Sequence, residues 1–353
     1  MSTWDSLPIF SGLPQYEVMH ALQQFDRLDV DAGTELIAEG DDDPTGVIVL
    51  TGELQILLGS TVLGRAGAGD VVGEIALFAG GLRTASVVAI QFSTLLVLTR
   101  EGYEALRAER HPVAAALEEH ALAQMSARLR RMRDRVSAKA AGKRAITRPA
   151  PGFFERVSSM FGGGGVAPVK IDAAAILQKS RLFEGVPREL LEPVAARMEA
   201  LQFRAGHMLC TEGEAGDEMF IIASGTVDVV CQTQMGGVES LATLGPGDAT
   251  GMCSLVQPDK ARMASCVARD KVVALSLSQL QWASLVHGAD WVGSILRVAM
   301  IRALAESIES ANVQFAEIDV AGDTMALRRV AAATETVRMQ AGGSLPTYFE
   351  QGS

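Results

Sequence analysis

The chain contains two copies of one segment, and this duplication limits what it can fold into. Residues 8–14 (PIFSGLP) recur as residues 181–187 (RLFEGVP), an offset of 173 positions. Residues 67–89 match residues 245–268 in the same way once one inserted residue is allowed. A repeat of this kind predicts two domains of the same fold, and 353 residues suit two domains of about 100 to 150 residues with connecting material.

Each copy has the pattern of β-structure followed by a helix. In the first copy, apolar runs at 47–50, 54–58, 87–90 and 95–98 are separated by Gly and Asp turns. Short strands at such spacing are typical of an all-β barrel or jelly roll. The sequence therefore predicts a mainly β protein with α, built from two tandem jelly-roll β-barrels, each with flanking helices.

Apolar residues spaced three and four apart follow each copy and predict amphipathic helices. Such a helix packs either on the chain's own barrel or in a coiled-coil-like seam between two chains, and the greater length of the second helix favours a homodimer there. The first stripe is Leu122, Met125, Leu129, Met132 and Val136; the second is Trp291, Ile295, Val298, Ile301, Leu304, Ile308, Ala311, Phe315 and Ile318.

These patterns divide the chain into a first domain with its helix at 1–125, a linker at 126–170, a second domain with a long helix at 171–318, and a tail at 319–353. The stretch from Ser126 to Arg148 carries nine Lys or Arg and one Asp, and Pro and Gly residues follow it. We interpret it as a semi-flexible tether. Its aromatic patch (Phe153, Phe154, Val157, Met160 and Phe161) either contacts a membrane surface or a partner, or is part of a solvated linker.

Composition and motifs exclude several classes of protein. A net charge of −11 argues against a generic nucleic-acid binder, and about forty residues after Phe315 leave too little room for a DNA-binding helix-turn-helix. We find no secretory signal, transmembrane helix or catalytic motif, and the five histidines form no metal-ligand cluster. The four cysteines match no zinc or redox motif and are interpreted as buried, reduced thiols. We therefore expect a cytoplasmic protein that is not an enzyme and binds neither a metal nor DNA.

The segment GEIALF at 73–78, followed by RTASV at 83–87, resembles the phosphate-binding cassette of the cyclic-nucleotide-binding domain family. This family includes the catabolite activator protein and the regulatory subunits of cyclic-AMP-dependent protein kinase. The resemblance covers about residues 8–130 and 180–310, and it implies a bound cyclic nucleotide and no other cofactor. The ligand-binding residues that it predicts are Gly73, Glu74, Ile75, Ala76, Arg83, Thr84, Ala85 and Leu63.

The chemistry of these residues suits such a ligand, which carries one negative charge, a ribose 2′-hydroxyl and a flat purine. Arg83 can form charge-assisted hydrogen bonds to the phosphate. Glu74 can accept from the 2′-hydroxyl and help to hold Arg83, and a short helix beginning after Glu74 would direct N–H groups at the anion. The hydroxyl of Thr84 can contact the phosphate or the amine of guanine. We rank cyclic AMP ahead of cyclic GMP, since receptors of this family with a hydroxyl there often take cyclic AMP.

The second cassette departs from this pattern because Met252 stands where Glu74 stands in the first. Losing a charged hydrogen bond to the ribose removes about 1.5 to 3 kcal/mol, or roughly 10- to 100-fold in affinity. We expect a weak or silent site in a structural or dimerising domain, although Asp259 and Lys260 in its longer loop could restore some binding. The residues of this degenerate site are Gly251, Met252, Cys253, Ser254, Arg262, Met263 and Ala264.

The main hypothesis is an intracellular cyclic-nucleotide receptor. Ligand binding would draw the helix after the first barrel over the purine, shift the basic linker and so reach an unidentified protein partner. Two alternatives stay open. One is a scaffold or localisation protein whose barrels are interaction modules, and the other is the regulatory subunit of a kinase.

Overall fold

The computed structural model describes residues 7–140, 166–232, 238–257, 259–286, 288–321 and 336–337. Within the helices and strands, the side chains of 133–140, 231–232, 238–241, 310, 313–321 and 336–337 are outside this description. The aromatic patch predicted at 153–161 lies outside the described residues.

The first half forms two four-stranded antiparallel sheets with the strand orders β1-β8-β3-β6 and β2-β7-β4-β5. Non-consecutive strands are neighbours in both sheets, as the jelly-roll prediction requires. The strands are β1 (Phe25–Val30), β2 (Glu35–Ile37), β3 (Gly46–Thr51), β4 (Glu53–Leu58), β5 (Thr61–Gly67), β6 (Val71–Val72), β7 (Ser86–Ala89) and β8 (Ser93–Leu98).

The apolar core of the first half lies between its two sheets. Val47 and Val49 of β3 are two residues apart, so they point to the same face of their sheet. They pack in one buried cluster with Leu54 and Val87 from the other sheet. The period-two apolar pattern seen in the sequence is therefore the pattern of side chains that enter this core.

The second half repeats the arrangement. Its sheets have the orders β18-β15-β12-β17-β10-β9 and β11-β16-β13-β14, and side chains from both meet in one buried cluster. The predicted mainly β fold with two tandem units is confirmed. The strands are β9 (Ala167–Pro168), β10 (Glu199–Phe203), β11 (Met208–Cys210), β12 (Glu218–Ser224), β13 (Val227–Gln232), β14 (Val238–Leu244), β15 (Ala249–Thr250), β16 (Ser265–Ala268), β17 (Val272–Ser278) and β18 (Thr336–Val337).

Helices flank both halves. The longest two are α3 and α8, which follow the first and second β-units and pack against each other. The helices are α1 (Gln15–Ala21), α2 (Arg100–Ala108), α3 (Pro112–Ala140), α4 (Ala173–Lys179), α5 (Arg188–Ala195), α6 (Met252–Val256), α7 (Gln279–Val286) and α8 (Trp291–Ala321).

Apart from Trp291, both predicted helical stripes are buried within the chain as far as their side chains are described. Leu122, Met125 and Leu129 of α3 join a cluster that also contains Ile301 and other residues of α8, and Met132 is buried as well. Trp291, at the start of α8, is 40% exposed. This part of α8 is covered by the chain's own helices, so it is not available as a dimer seam. A homodimer through the end of the helix, with Phe315 and Ile318, stays a prediction.

A buried group of polar side chains joins α3 to α8. Glu118 of α3 accepts a hydrogen bond from Arg297 Nε of α8 at 2.6 Å, and both side chains are 1% exposed. The other oxygen of Glu118 accepts from the hydroxyls of Tyr103 and Ser294 at 2.6 and 3.0 Å. Arg297 Nη1 also donates to the carbonyl oxygen of Val286 at 2.6 Å. The charges are therefore paired and hydrogen-bonded, as burial requires.

The sequence-based boundaries need correction at two places. Helix α3 continues to Ala140, so the linker predicted to begin at Ser126 is helical over its first part. The reason is that Leu129 and Met132 extend the buried stripe, which outweighs the basic composition of this stretch. In the predicted tail, Thr336 and Val337 form a strand that pairs with β15.

Three of the four cysteines, Cys210, Cys253 and Cys266, are buried, as expected. The side chain of Cys231 is not described. In the described ranges, no helix combines the length and the apolar character needed to cross a membrane. The same ranges contain no group of three or more His, Cys, Asp or Glu that could hold a metal ion.

Candidate functional site

The candidate site begins at the turn after β6. Gly73 has a φ of 77°, in the left-handed region that favours glycine. A Cβ at this position would lie 2.6 Å from Arg83 Nη1 and 2.7 Å from the carbonyl oxygen of Thr45. Glycine is therefore needed here both for the backbone and for the close approach of Arg83. The predicted short helix follows as a π-helical turn, Ile75–Ala79.

This turn forms one side of a pocket with about 720 Å³ of empty space, counted to its open mouth. Glu74 and Arg83, which are 8% and 4% exposed, both face it. Leu63 is the one predicted residue that is not in its lining. The seven predicted residues that the structure brings together here are Gly73, Glu74, Ile75, Ala76, Arg83, Thr84 and Ala85.

The guanidinium of Arg83 is held by side chains that the sequence analysis did not identify. Its Nη2 donates to Asp43 Oδ2 and to Thr45 Oγ1, each at 2.8 Å. Thr45 Oγ1 in turn donates to Asp43 Oδ2 at 3.0 Å. The carboxylate hydrogen-bonded to Arg83 comes from the loop before β3, whereas Glu74, which we expected to help hold Arg83, interacts with it through charge.

Two further observations describe the charge around Arg83. Partial burial of Asp43 favours its neutral form, but the hydrogen bonds from Arg83 and Thr45 outweigh this and lower its pKa. Asp43 is therefore ionised at neutral pH and fixes the guanidinium. The Nε of Arg83 is buried and has no hydrogen-bond partner. A residue of the pocket lining thus has one charged donor without an acceptor, which is costly unless a ligand supplies one.

Glu74 faces a different cation. Burial raises the pKa of Glu74, and the positive charges of Arg128 and Arg83 partly oppose that rise. Burial likewise lowers the pKa of Arg128, with Glu74 opposing. Arg128 lies on α3 and also donates to Asn312 of α8 at 3.5 Å. The carboxylate of the cassette is therefore coupled electrostatically to the helix that joins the two halves.

Helix α3 closes one side of the pocket, with Gln124, Met125, Arg128 and Arg131 in the lining. Gln124 fixes the helix to the β-unit, because its Nε2 donates to Asp70 Oδ1 at 2.5 Å and its Oε1 accepts from the backbone N–H of Val71 at 3.0 Å. The sequence analysis missed this contribution because it placed Arg128 and Arg131 in a linker. The signal that could have found them is the apolar stripe, whose spacing continues through Leu129 and Met132.

The second cassette has the same backbone but no comparable arrangement of side chains. Gly251 has a φ of 86° and precedes α6, as Gly73 precedes the π-helical turn. Arg262 is 4% exposed, and its Nη2 donates to the backbone carbonyl of Glu218 at 2.7 Å. The predicted residues Gly251, Met252, Cys253, Ser254, Arg262, Met263 and Ala264 are all buried.

The offset of 173 explains the difference around the two arginines. It places Gly216 at the position of Asp43 and Glu218 at that of Thr45. A Cβ at Gly216 would lie 2.6 Å from Ser254 Cβ and closer still to Arg262, so these two side chains occupy the space that a carboxylate at position 216 would need. Asp259 and Lys260, which we expected could restore binding, form an exposed ion pair with each other at 3.3 Å.

Helix α3 also contacts the loop of the second cassette. Arg130 donates through Nη1 to the carbonyl oxygen of Ala261 at 2.7 Å and through Nε to Gln257 Oε1 at 3.1 Å. Arg128 is two positions away, a rotation of about 200° around an α-helix. The same helical turn therefore interacts with Glu74 of the first cassette and with the loop of the second.

The comparisons with known proteins agree with this duplication. The family model of the cyclic nucleotide-binding domain matches residues 27–110 and 200–288. A "cAMP-dependent protein kinase regulatory subunit" of Yarrowia lipolytica is 24% identical over 271 residues, which are 77% of this chain and 56% of that protein. A "Cyclic AMP receptor protein" of Thermus thermophilus is 36% identical over 132 residues, which are 36% of this chain and 59% of that protein.

The chain thus spans less than two thirds of the length of these curated relatives. A solved structure, the regulatory domain of Toxoplasma gondii PKA with cAMP, is 19% identical, with 80% of this chain and 88% of that chain covered and a TM-score of 0.31. The two segments matched by the family model contain the two cassettes described above. The chain therefore belongs to the cyclic nucleotide-binding domain family, of which it carries two copies.

Proposed function

We propose that the first half binds a cyclic nucleotide, cyclic AMP in preference to cyclic GMP, and that the chain is a cytoplasmic receptor rather than an enzyme. The observation that carries this proposal is that buried Arg83, held by Asp43, lines one pocket together with Glu74, and that the Nε of Arg83 has no hydrogen-bond partner. A phosphoryl oxygen of the ligand would accept from this donor in a charge-assisted hydrogen bond. The small residues Gly73 and Ala76 allow the phosphate to approach closely.

The pocket also suits the rest of the ligand. Glu74 would accept from the ribose 2′-hydroxyl, and the nearby charge of Arg128 favours the ionised carboxylate that this requires. Ile37, Ile56 and Met125 are among the apolar residues of the lining and would contact the purine. The lining therefore combines apolar residues with charged and polar side chains, which suits a ligand that has both an apolar base and an anionic group.

Binding would be transmitted through α3. This helix lines the pocket, pairs with α8 through Glu118 and Arg297, and holds the second cassette through Arg130. A ligand that prefers one position of α3 would shift the position of the second half, and only such a preference can move the equilibrium. The basic segment beyond α3 would then present a different surface to a protein partner. The name of the Yarrowia relative makes a kinase catalytic subunit the first partner to test.

The second half would have a structural role. Its arginine is packed against Gly216, and Met252 offers no carboxylate to a ribose. This supports the scaffold hypothesis for that half alone.

Isothermal titration of the full chain with cyclic AMP, cyclic GMP and linear 5′-AMP tests the proposal. We expect cyclic AMP to bind most tightly. Thr84→Ala in the same titration should change the ratio of the two cyclic nucleotides, because the Thr84 hydroxyl is the group placed to discriminate between them. If neither cyclic nucleotide gives a heat of binding in this titration, the receptor hypothesis is rejected in favour of a scaffold.

A further inference from the structure

A pair of cysteines lies beside the second cassette. Cys210 of β11 and Cys266 of β16 are directly opposite each other in an antiparallel pair. We propose that these two thiols are an oxidation site, at which hydrogen peroxide forms a disulfide between them. This proposal does not depend on the proposed function of the first half.

The backbone geometry suits a disulfide. Residues directly opposite each other in antiparallel strands have Cα atoms about 4.5 to 5.5 Å apart, and their side chains lie on the same face of the sheet. Disulfides usually join Cα atoms about 4.4 to 6.8 Å apart. Both cysteines belong to the same buried cluster of the second half, and their thiols are hydrogen-bonded to each other. The paired strands therefore hold the two residues at a separation that a disulfide can span.

The surroundings favour the reactive form of Cys210. The hydrogen bond from Cys266 lowers the pKa of the Cys210 thiol, and the charge of Arg262 adds to this against the effect of burial. Arg262 Nη1 is itself buried without a hydrogen-bond partner. A guanidinium with an unpaired N–H group stabilises a neighbouring thiolate by its positive charge. The thiolate is the nucleophile in thiol oxidation.

Cys210 lies where a small oxidant can reach it. Strand β11 has three residues and is at the edge of its sheet, paired on one side by β16, with an irregular register between Met208 and Cys210. The Cys210 residue is 9% exposed, whereas Cys266 is fully buried. Short edge strands open at low cost in free energy. Hydrogen peroxide, which is only slightly larger than water, suits this restricted access.

The reaction balances in two steps. The Cys210 thiolate attacks one oxygen of hydrogen peroxide, the O–O bond breaks, hydroxide leaves, and Cys210 becomes a sulfenic acid. The thiol of Cys266 then loses its proton and attacks the Cys210 sulfur; the S–O bond breaks and water leaves after protonation. Overall, two thiols are oxidised to one disulfide, and hydrogen peroxide is reduced to two molecules of water.

The duplication supplies a matched comparison. At the corresponding register position the first half pairs Ile37 of β2 with Val87 of β7, and both residues line its pocket. The cysteine pair therefore stands where the first half has part of its apolar wall. A disulfide would tie the edge strand to the segment that carries Arg262, whose backbone already bonds Gly213 and Glu214 at 3.0 and 2.7 Å.

Peptide mapping of the full chain under non-reducing conditions, after treatment with hydrogen peroxide, tests the proposal. We expect the number of free thiols to fall from the four of the sequence to two, with Cys210 and Cys266 in one linked peptide. Cys253→Ser should leave this link unchanged. Cys210→Ser should abolish it and leave Cys266 as a free thiol.

The double variant Cys210→Ile with Cys266→Val reproduces the pair of the first half and provides a folded control without the site. A stable sulfenic acid on Cys210 without a link, or a link that involves Cys231 or Cys253, would overturn the proposal. Retention of all four thiols at peroxide concentrations that oxidise the urea-unfolded chain would overturn it as well.

Discussion

The two cassettes share a backbone and differ in a few side chains. Gly40 N–H donates to the Arg83 carbonyl at 2.9 Å, and Gly213 N–H donates to that of Arg262 at 3.0 Å. Asp70 accepts from the Gly67 N–H and Asp248 from the Gly245 N–H at 2.9 and 2.8 Å. The duplicated turns are thus built by the same hydrogen bonds. This framework alone does not make a site, because its two arginines end in different surroundings.

The first arginine is paired with the side chains of Asp43 and Thr45 beside an open pocket, whereas the second donates to the backbone of Glu218 and packs against Gly216. The change from Glu74 to Met252 completes the difference. Two units with the same strands can therefore give their arginines different surroundings, since the strands are stabilised by the apolar core.

The largest effect should come from Arg83→Leu. Two charged hydrogen bonds to a phosphate, each about 1.5 to 3 kcal/mol, correspond to a loss of roughly 10²- to 10⁴-fold in affinity for cyclic AMP. Calorimetric titration measures the loss. The matched variant Arg262→Leu should leave the affinity unchanged, and an equal loss in both variants would remove the distinction between the two cassettes.

The next effect concerns the joint between the halves. Arg297→Ala leaves Glu118 buried without its charged partner and should lower the free energy of unfolding by about 3 to 5 kcal/mol. Urea denaturation followed by circular dichroism checks this. Arg302→Ala, on the exposed side of the same helix, should change the free energy of unfolding by no more than about 0.5 kcal/mol. Similar values for both variants would refute a role for the buried pair.

Exchanging the residues at the ribose position tests whether the carboxylate of Glu74 accounts for the difference between the two cassettes. Glu74→Met, which copies the second cassette, should weaken binding of cyclic AMP by roughly 10- to 100-fold. Glu35→Met, on an exposed strand position, is the control. The reverse change, Met252→Glu, should not create a second site because Gly216 still fills the space beside Arg262. A second binding event in that variant, seen by titration, would show that the carboxylate alone separates the halves.

The smallest effect is a pH dependence that belongs to the first cassette. Burial raises the pKa of Glu74 in the folded chain above its usual 4.5. At a pH between 4.5 and the raised pKa, the folded chain therefore holds more protons than the unfolded chain. Stability should therefore fall as pH rises through this window, relative to Glu74→Gln. Melting temperatures of the two proteins between acid and neutral pH test the sign. A melting temperature of the wild type that rises relative to that of Glu74→Gln as pH rises would contradict the assignment.

The sequence predicted the fold well because the strand pattern and the repeat can both be recognised without knowing which residues contact each other. Alternating apolar residues gave the strands, and the offset of 173 gave the second unit. The pairing of Arg83 with Asp43 was not predictable from spacing, since it joins residues forty positions apart across two loops. Arg128 was missed for another reason: a basic run suggested a linker, whereas the burial of Leu129 and Met132 keeps that run helical and against the pocket.

The number of cyclic nucleotides bound per chain shows whether the first cassette alone binds the ligand. Native mass spectrometry of the full chain with saturating cyclic AMP should show one ligand per chain in the wild type and in Arg262→Leu, and none in Arg83→Leu. Two ligands per chain in the wild type, or one ligand that persists in Arg83→Leu, would contradict the assignment of binding to the first cassette alone.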